Sequence, residues 1–324
     1  MRSMSNKKDH LKKLWNEDKI FAALAIDQRG ALQKMLTKFK GEEANKKELE
    51  EFKWIVSSQL TQDASAILLD PEYGLPAASA KNKNTGLLFA YEKTGYDQTV
   101  AGRLPDLLPR CSVKNLKEAG ANACKFLLYY DIDESEEING QKHAFIERIG
   151  SECLAEGLPF FLELISYDHT LIESDAKDYA TKKPRKVIKM MEKFSENRFN
   201  VDVLKVEVPV NMNYVEGYGE EYFVHTKEEA SKFFLEQAKA THLPYIFLSA
   251  GVEANLFYDT LRFAKAAGST FNGVLCGRAT WSQGVEIFVK KGKATAIAWM
   301  NNEGRKKIQQ LNKVLKETAS PVKI

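Results

Sequence analysis

Eight short runs rich in Val, Ile, Leu and Phe recur along the chain, each bounded by Gly, Pro, Asp or Asn. They lie at residues 19–28, 65–74, 87–95, 123–131, 159–167, 203–210, 244–251 and 271–279. Each is too short for an independent helix and fits a buried strand. Between them the apolar positions fall three or four apart. Residues 45–62 put Leu49, Phe52, Ile55, Val56 and Leu60 on one stripe, and residues 139–156 do the same with Phe145, Ile149, Cys153 and Leu154. Residues 226–240 open with Thr226 and Glu229, a capping-box spacing, and 282–300 and 305–318 carry two more helical patterns. Phe233, Phe234, Phe263 and Trp299 read as helix packing. Strand and helix alternate without a break in composition, which predicts an α/β fold of one domain, a single (β/α)8 TIM barrel over 1–324. A short polar N-terminal extension (about 1–15) and a C-terminal helical segment (about 305–318) complete it. An open doubly wound sheet would favour a Gly-rich phosphate turn after the first strand, and neither GxGxxG nor GxxxxGK[ST] occurs.

Charge narrows the function. The 47 Lys+Arg against 44 Asp+Glu leave a net charge of +3, and Lys pairs such as Lys182-Lys183 and Lys290-Lys291 are interleaved with acids. A protein that coats nucleic acid would carry a larger basic excess. No apolar run approaches the roughly 18 residues of a membrane helix, and the start has no signal-peptide stretch. A soluble, cytoplasmic protein is expected, without nucleic-acid or membrane partners. Cys111, Cys124, Cys153 and Cys276 are widely spaced and form no CxxC pair, so they read as reduced thiols. None of the five histidines lies in a strand and only His169 closely follows one, so neither a metal site nor a cofactor is expected.

The chemistry lies in charges that interrupt the strands. Strand parity puts Val203, Lys205 and Glu207 on one face of the sixth run and Leu204, Val206 and Val208 on the other. The apolar set suits the helix layer, so Lys205 and Glu207 point to the barrel axis. Parity likewise places Lys125 beside Ala123, Glu163 beside Phe161, and Asp27 on the face of Ala23 and Ala25. Burying a bare charge costs several kcal/mol unless it is paired, so Asp27, Lys125, Glu163 and Lys205 form one cluster at the barrel mouth. It is either a structural ion-pair network or a reaction centre. A lysine that attacks a carbonyl must be neutral, its pKa brought from about 10.4 to roughly 7–8. Burial and a neighbouring ammonium, here Lys125 beside Lys205, both act in that direction. With Glu163 as proton shuttle, the set fits Schiff-base aldol chemistry. A glycosidase pairing Glu163 with Glu207 would leave both lysines without a role. A metal-dependent aldolase would need converging histidines. Asp70, Glu72 and Glu92 read as loop-ordering or substrate-contacting residues.

Strands seven and eight end in Ser249-Ala250-Gly251 and Cys276-Gly277-Arg278. In barrels the loops there commonly seat phosphate. Ser249, Gly251, Gly277 and Arg278 supply a hydroxyl, close backbone approach and a charged fork for it. Gln28 and Arg29, just past the first strand, could hold a second phosphate, or Arg29 could form a simple salt bridge.

The stretches LAIDQRGAL, LLDPEYGLPA, AYEKTGYD, KFLLYYD, IERIGSEC, LKVEVPVN, YIFLSAGV and NGVLCGRATW, in this order over roughly 18–318, resemble the class I tagatose-1,6-bisphosphate aldolases of Gram-positive lactose and galactose catabolism. The resemblance implies that Lys205 is the Schiff-base lysine and Glu163 the principal acid/base. Asp27 and Lys125 would position substrate and tune charge, and Ser249, Gly251, Gly277 and Arg278 would bind the phosphate of the ketone half. It implies cleavage of D-tagatose 1,6-bisphosphate to dihydroxyacetone phosphate and D-glyceraldehyde 3-phosphate. The alternatives are another ketose phosphate by the same mechanism (fructose 1,6-bisphosphate or sulfofructose 1-phosphate) and a regulatory, metabolite-sensing barrel. Open at this point are the preference at C4, the carboxylate that takes the C4 hydroxyl proton, and assembly as a homo-oligomer, dimer or tetramer.

Overall fold

The computed structural model describes residues 2–93, 101–171, 177–219, 222–249 and 251–323. The eight runs are β1 (Phe21–Ala25), β2 (Ala66–Leu69), β3 (Gly86–Ala90), β4 (Ala123–Tyr130), β5 (Phe160–Ser166), β6 (Val203–Val206), β7 (Tyr245–Phe247) and β8 (Gly273–Cys276). They pair in parallel and in chain order, and β1 meets β8 to close the barrel. The parity read from the sequence is the parity of the fold. Leu24, Phe126, Leu162, Leu204 and Val206 belong to the core between strands and helices. Ala23, Ala25, Ala123, Phe161 and Val203 belong to a separate interior core. Alanines at positions 23, 25, 66, 90 and 123 of that interior leave room for long polar side chains above them.

The helices form where the apolar stripes fall. Leu49, Phe52, Ile55, Val56 and Leu60 are buried on the helix Lys46–Leu60, which starts in a capping box between Asn45 and Glu48. The Thr226–Glu229 box opens the helix Lys227–Lys239. The last two patterns are joined rather than separate. Gln283–Trp299 breaks at Gly292 (φ 80) and passes through a wide π turn, Met300–Gly304, into Arg305–Thr318. Phe234 is buried, and Phe233, Phe263 and Trp299 pack against the same core. No helix among the described residues is long and apolar enough to cross a membrane.

Residues 6–15 do more than form the polar extension expected of this stretch. Arg2–Leu11 is a helix, and Leu11 and Leu14 are buried with Phe21, Phe161 and Val322 under the strand N-termini. Lys7 pairs with Asp202 at 2.7 Å, whose carboxylate accepts a hydrogen bond from the Phe160 amide at 2.8 Å. The segment is polar outside and apolar inside, and it floors the barrel.

A clamp at the opposite end steadies the β1 terminus. Lys53, fully buried on Lys46–Leu60, donates to the Ile26 carbonyl at 2.8 Å, to the Gln28 carbonyl at 2.9 Å, and to Asp70. Asp70 also accepts from the Tyr73 amide at 2.7 Å. Removing one partner of such a buried pair strands the other charge, at a cost of about 3–5 kcal/mol. Lys53→Met is therefore expected to lower the thermal unfolding midpoint by several degrees. A midpoint equal to that of the unaltered protein would show that the pair bears no load.

Candidate active site

At the C-terminal ends of the strands, the interior charges meet. Lys125 on β4 is 1% exposed and its ammonium lies 3.0 Å from Asp27, 2.7 Å from Glu92 and 2.6 Å from Glu163. Lys205 on β6 is 2.7 Å from Glu163. The strand register produces this: Glu163 sits level with Leu127 on one side and with Lys205 on the other. One carboxylate thus bridges two lysines, Oε2 to Lys125 and Oε1 to Lys205. All four residues expected in the cluster are brought together.

Glu92 is the member that sequence reading assigned elsewhere. It follows β3, whose Leu88 and Ala90 face the interior. Continuing that alternation by one step past the strand end would have put Glu92 inside. Glu207 shows the reverse. It shares parity with Lys205, but β6 ends at Val206. The Glu207 carboxylate accepts from the Ser166 amide at 2.7 Å and its hydroxyl at 2.6 Å, and pairs with Lys183 at 3.2 Å. These donors occupy it, and it is no partner for Glu163.

The charges set one another. Burial disfavours the Lys125 ammonium, yet Asp27, Glu163 and Glu92 outweigh that and hold its pKa well above the ordinary lysine value. Burial would raise Asp27, but Lys125 and Lys205 hold it well below the usual carboxylate range, with Lys53 contributing behind them. Glu92 goes the other way: burial pushes its carboxyl up, against the pull of Lys125. Lys125 is therefore a permanent cation and Asp27 a permanent anion near neutral pH. Lys125 and Lys205, expected as neighbouring ammonium groups, share the Glu163 carboxylate between them.

The residues expected to seat phosphate follow β7 and β8. Ser249 is buried and Arg278 is exposed. Gly251 has φ +83, a backbone conformation that favours glycine, and the Arg278 guanidinium lies 2.9 Å from where a Cβ would sit. A Cβ on Gly277 would lie 2.0 Å from the Ala25 carbonyl, which fixes how tightly β8 closes on β1. A cavity of about 520 Å³ is lined by Ser249 and Gly251, and another of about 580 Å³ by Gly251 and Arg278. Both border the residues expected to seat phosphate; Lys125 and Lys205 line neither.

Of the two expectations for Arg29, the salt bridge is the one formed. Arg29 is 4% exposed, pairs with Glu72 at 2.6 Å and donates to the Glu92 carbonyl at 2.7 Å. Gln28 lies beside it, with a buried side-chain oxygen that has no protein partner. His169 bonds Asp131 at 2.8 Å, and with Asp168 these form a group of metal-ligand spacing. The Lys186 ammonium already reaches Asp131 and lies 3.1 Å from Asp168, supplying positive charge there. All four cysteines are free thiols.

Comparison with known proteins points the same way. A family model described as DeoC/LacD family aldolase matches residues 21–283. Relatives named tagatose 1,6-diphosphate aldolase from Staphylococcus aureus, strains JH9 and Newman, are 58% identical over 319 residues, covering 98% of either chain. A solved fructose-bisphosphate aldolase from Plasmodium falciparum matches with a TM-score of 0.71 at 16% identity, over 98% of this chain and 96% of that one. A Schiff-base-forming fructose-1,6-bisphosphate aldolase matches at 0.58 and 12%, over 95% and 99%. At such identities the solved structures share the barrel.

Proposed function

The chain belongs to the DeoC/LacD family of aldolases, and from that premise we propose a Schiff-base mechanism in which Lys205 cleaves D-tagatose 1,6-bisphosphate to dihydroxyacetone phosphate and D-glyceraldehyde 3-phosphate. The protein is a carbon–carbon lyase, and the substrate follows from what its relatives are named for. The observation that carries the mechanism is the single Glu163 carboxylate held 2.6 Å from Lys125 and 2.7 Å from Lys205.

Lys205 gives its proton to Glu163 and attacks the C2 carbonyl with its free amine. Glu163 returns a proton to the carbinolamine oxygen, water leaves, and the iminium forms. As the C3–C4 bond breaks, its electron pair flows into the iminium to give an enamine. The C4 hydroxyl loses its proton, and the aldehyde departs. Asp27 is held far below the ordinary range, which makes it a poor proton store and supports Glu163 as the group that takes the C4 proton. Protonation at C3 and hydrolysis then free Lys205 and the ketone phosphate. Lys125, always charged, offsets negative charge developing on substrate oxygens, and Asp27 anchors it.

Ser249, Gly251, Gly277 and Arg278 seat the phosphate of the ketone half. A hydrogen bond to a charged group contributes about 1.5–3 kcal/mol. Arg278→Ala is therefore expected to raise KM for the bisphosphate by about 10–100-fold with little change in kcat. An unchanged KM would remove Arg278 from this role. Gln28 is the candidate on the opposite rim, with Arg29 as its support through Glu72 and Glu92.

Cleavage in the presence of EDTA, followed by borohydride treatment with dihydroxyacetone phosphate, tests the reaction class. The expected result is full activity in EDTA and irreversible inactivation by borohydride. Loss of activity in EDTA with no effect of borohydride would indicate a metal-assisted aldolase instead. Cleavage rates for the tagatose and fructose bisphosphates, measured side by side, test the substrate.

A further inference from the structure

We propose that Glu92 is a positioning residue for the cleavage, the fixed counter-charge that keeps Lys125 in place while Glu163 exchanges protons with substrate. The inference rests on the Schiff-base reading above. An ammonium has three N–H donors, and Lys125 directs them to three carboxylates: Asp27, Glu92 and Glu163. During the cycle Glu163 is alternately carboxylate and carboxylic acid. Each time it takes a proton, its attraction for Lys125 weakens. Lys125 is 1% exposed, so water cannot replace what it loses.

Glu92 is built not to move. Its Oε2 accepts from the Leu127 amide at 3.2 Å while its Oε1 faces Lys125. Its backbone carbonyl accepts from buried Arg29. The amide of the next residue, Lys93, donates to the Asp106 carbonyl at 2.9 Å. Glu92 is thus tied to β4, to the end of β1 and to the segment at Asp106, and its side chain is only 6% exposed. It reaches Lys125 from the end of β3, on one side of β4, whereas Glu163 and Lys205 come from β5 and β6 on the other.

The arrangement has a pH signature. The charged groups acting on Glu92 are Lys125 from β4 and Asp27 and Arg29 from the end of β1; burial raises its carboxyl above the ordinary glutamate value despite Lys125. As pH falls, Glu92 takes up a proton earlier than an exposed glutamate would, and Lys125 loses its fixed partner. The acid side of the kcat profile then carries a contribution from Glu92, and that contribution disappears when the residue cannot ionise.

Glu92→Gln keeps the shape and removes the charge. The expected result is a protein that stays folded at the assay temperature, with kcat reduced about tenfold or more at neutral pH and KM changed by less than about threefold. The ratio of unaltered to variant kcat should shrink as pH falls. A kcat within about twofold of the unaltered enzyme, a ratio independent of pH, or a loss of kcat that tracks a lower midpoint would each overturn the proposal. Should Glu92→Gln fail to fold, Glu92→Asp carries the test, since it keeps the charge but withdraws it from Lys125. Reduced kcat with the acid limb retained supports the proposal, and unchanged kcat overturns it. The borohydride adduct of the unaltered enzyme separates the two levels: its absence refutes the Schiff-base reading, whereas its presence with a fully active Glu92→Gln refutes only the role of Glu92.

Discussion

Lys205→Met is expected to abolish cleavage, with a loss on the order of 10⁴-fold or more, and to leave no borohydride-trapped adduct, while the barrel stays folded. Loss of the nucleophile removes the covalent route altogether, since the iminium that accepts the C3–C4 electron pair can no longer form. The fold should survive for a reason visible in the charge cluster. Removing Lys205 leaves Glu163 still paired with Lys125 at 2.6 Å, so no buried charge is stranded. Methionine matches the lysine stem in length and is compatible with the buried site. Circular dichroism and a thermal melt should therefore match the unaltered protein. Residual activity near the native level would exclude Lys205 as the nucleophile.

Glu163→Gln has the next largest expected effect, a fall in kcat of about 10²–10⁴-fold. The amide oxygen can accept from only one of the two lysines, and the amide cannot accept the Lys205 proton, return it to the carbinolamine, or take one from the C4 hydroxyl. Lys125 retains Asp27 at 3.0 Å and Glu92 at 2.7 Å, so its charge remains compensated. Single-turnover measurements should show both adduct formation and bond cleavage slowed. Slowed cleavage with adduct formation at the native rate would move the early proton transfers to another group, and a native kcat would remove Glu163 from the chemistry.

Much of this was legible in the sequence because a barrel strand obeys a rule of two. Ala123, Lys125 and Leu127, or Phe161, Glu163 and Ile165, declare which side of the sheet they face once the opposite set is apolar. Lys205 and Lys125 were therefore placed together although they are far apart in the chain. The rule holds only while the strand holds. Glu92 kept the parity of β3 beyond its end, and Glu207 lost that of β6 one residue after Val206. Whether a side chain past a strand end continues inward depends on the partners waiting there: Lys125 for Glu92, Ser166 and Lys183 for Glu207. Those partners come from other strands and helices, and no local pattern announces them. The floor of the barrel was hidden for a similar reason. Leu11 and Leu14 are two apolar residues in a polar stretch, and only the closed strand ends above them supply a surface to cover.

Two buried lysines flank one carboxylate at nearly equal distances, and the mechanism requires that only one of them attack. The decisive measurement is peptide mapping by mass spectrometry of the enzyme inactivated with borohydride and dihydroxyacetone phosphate. The account predicts one adduct per chain, on the peptide that contains Lys205, with Lys125 unmodified. An adduct on Lys125, or none at all under conditions where cleavage proceeds, would contradict it.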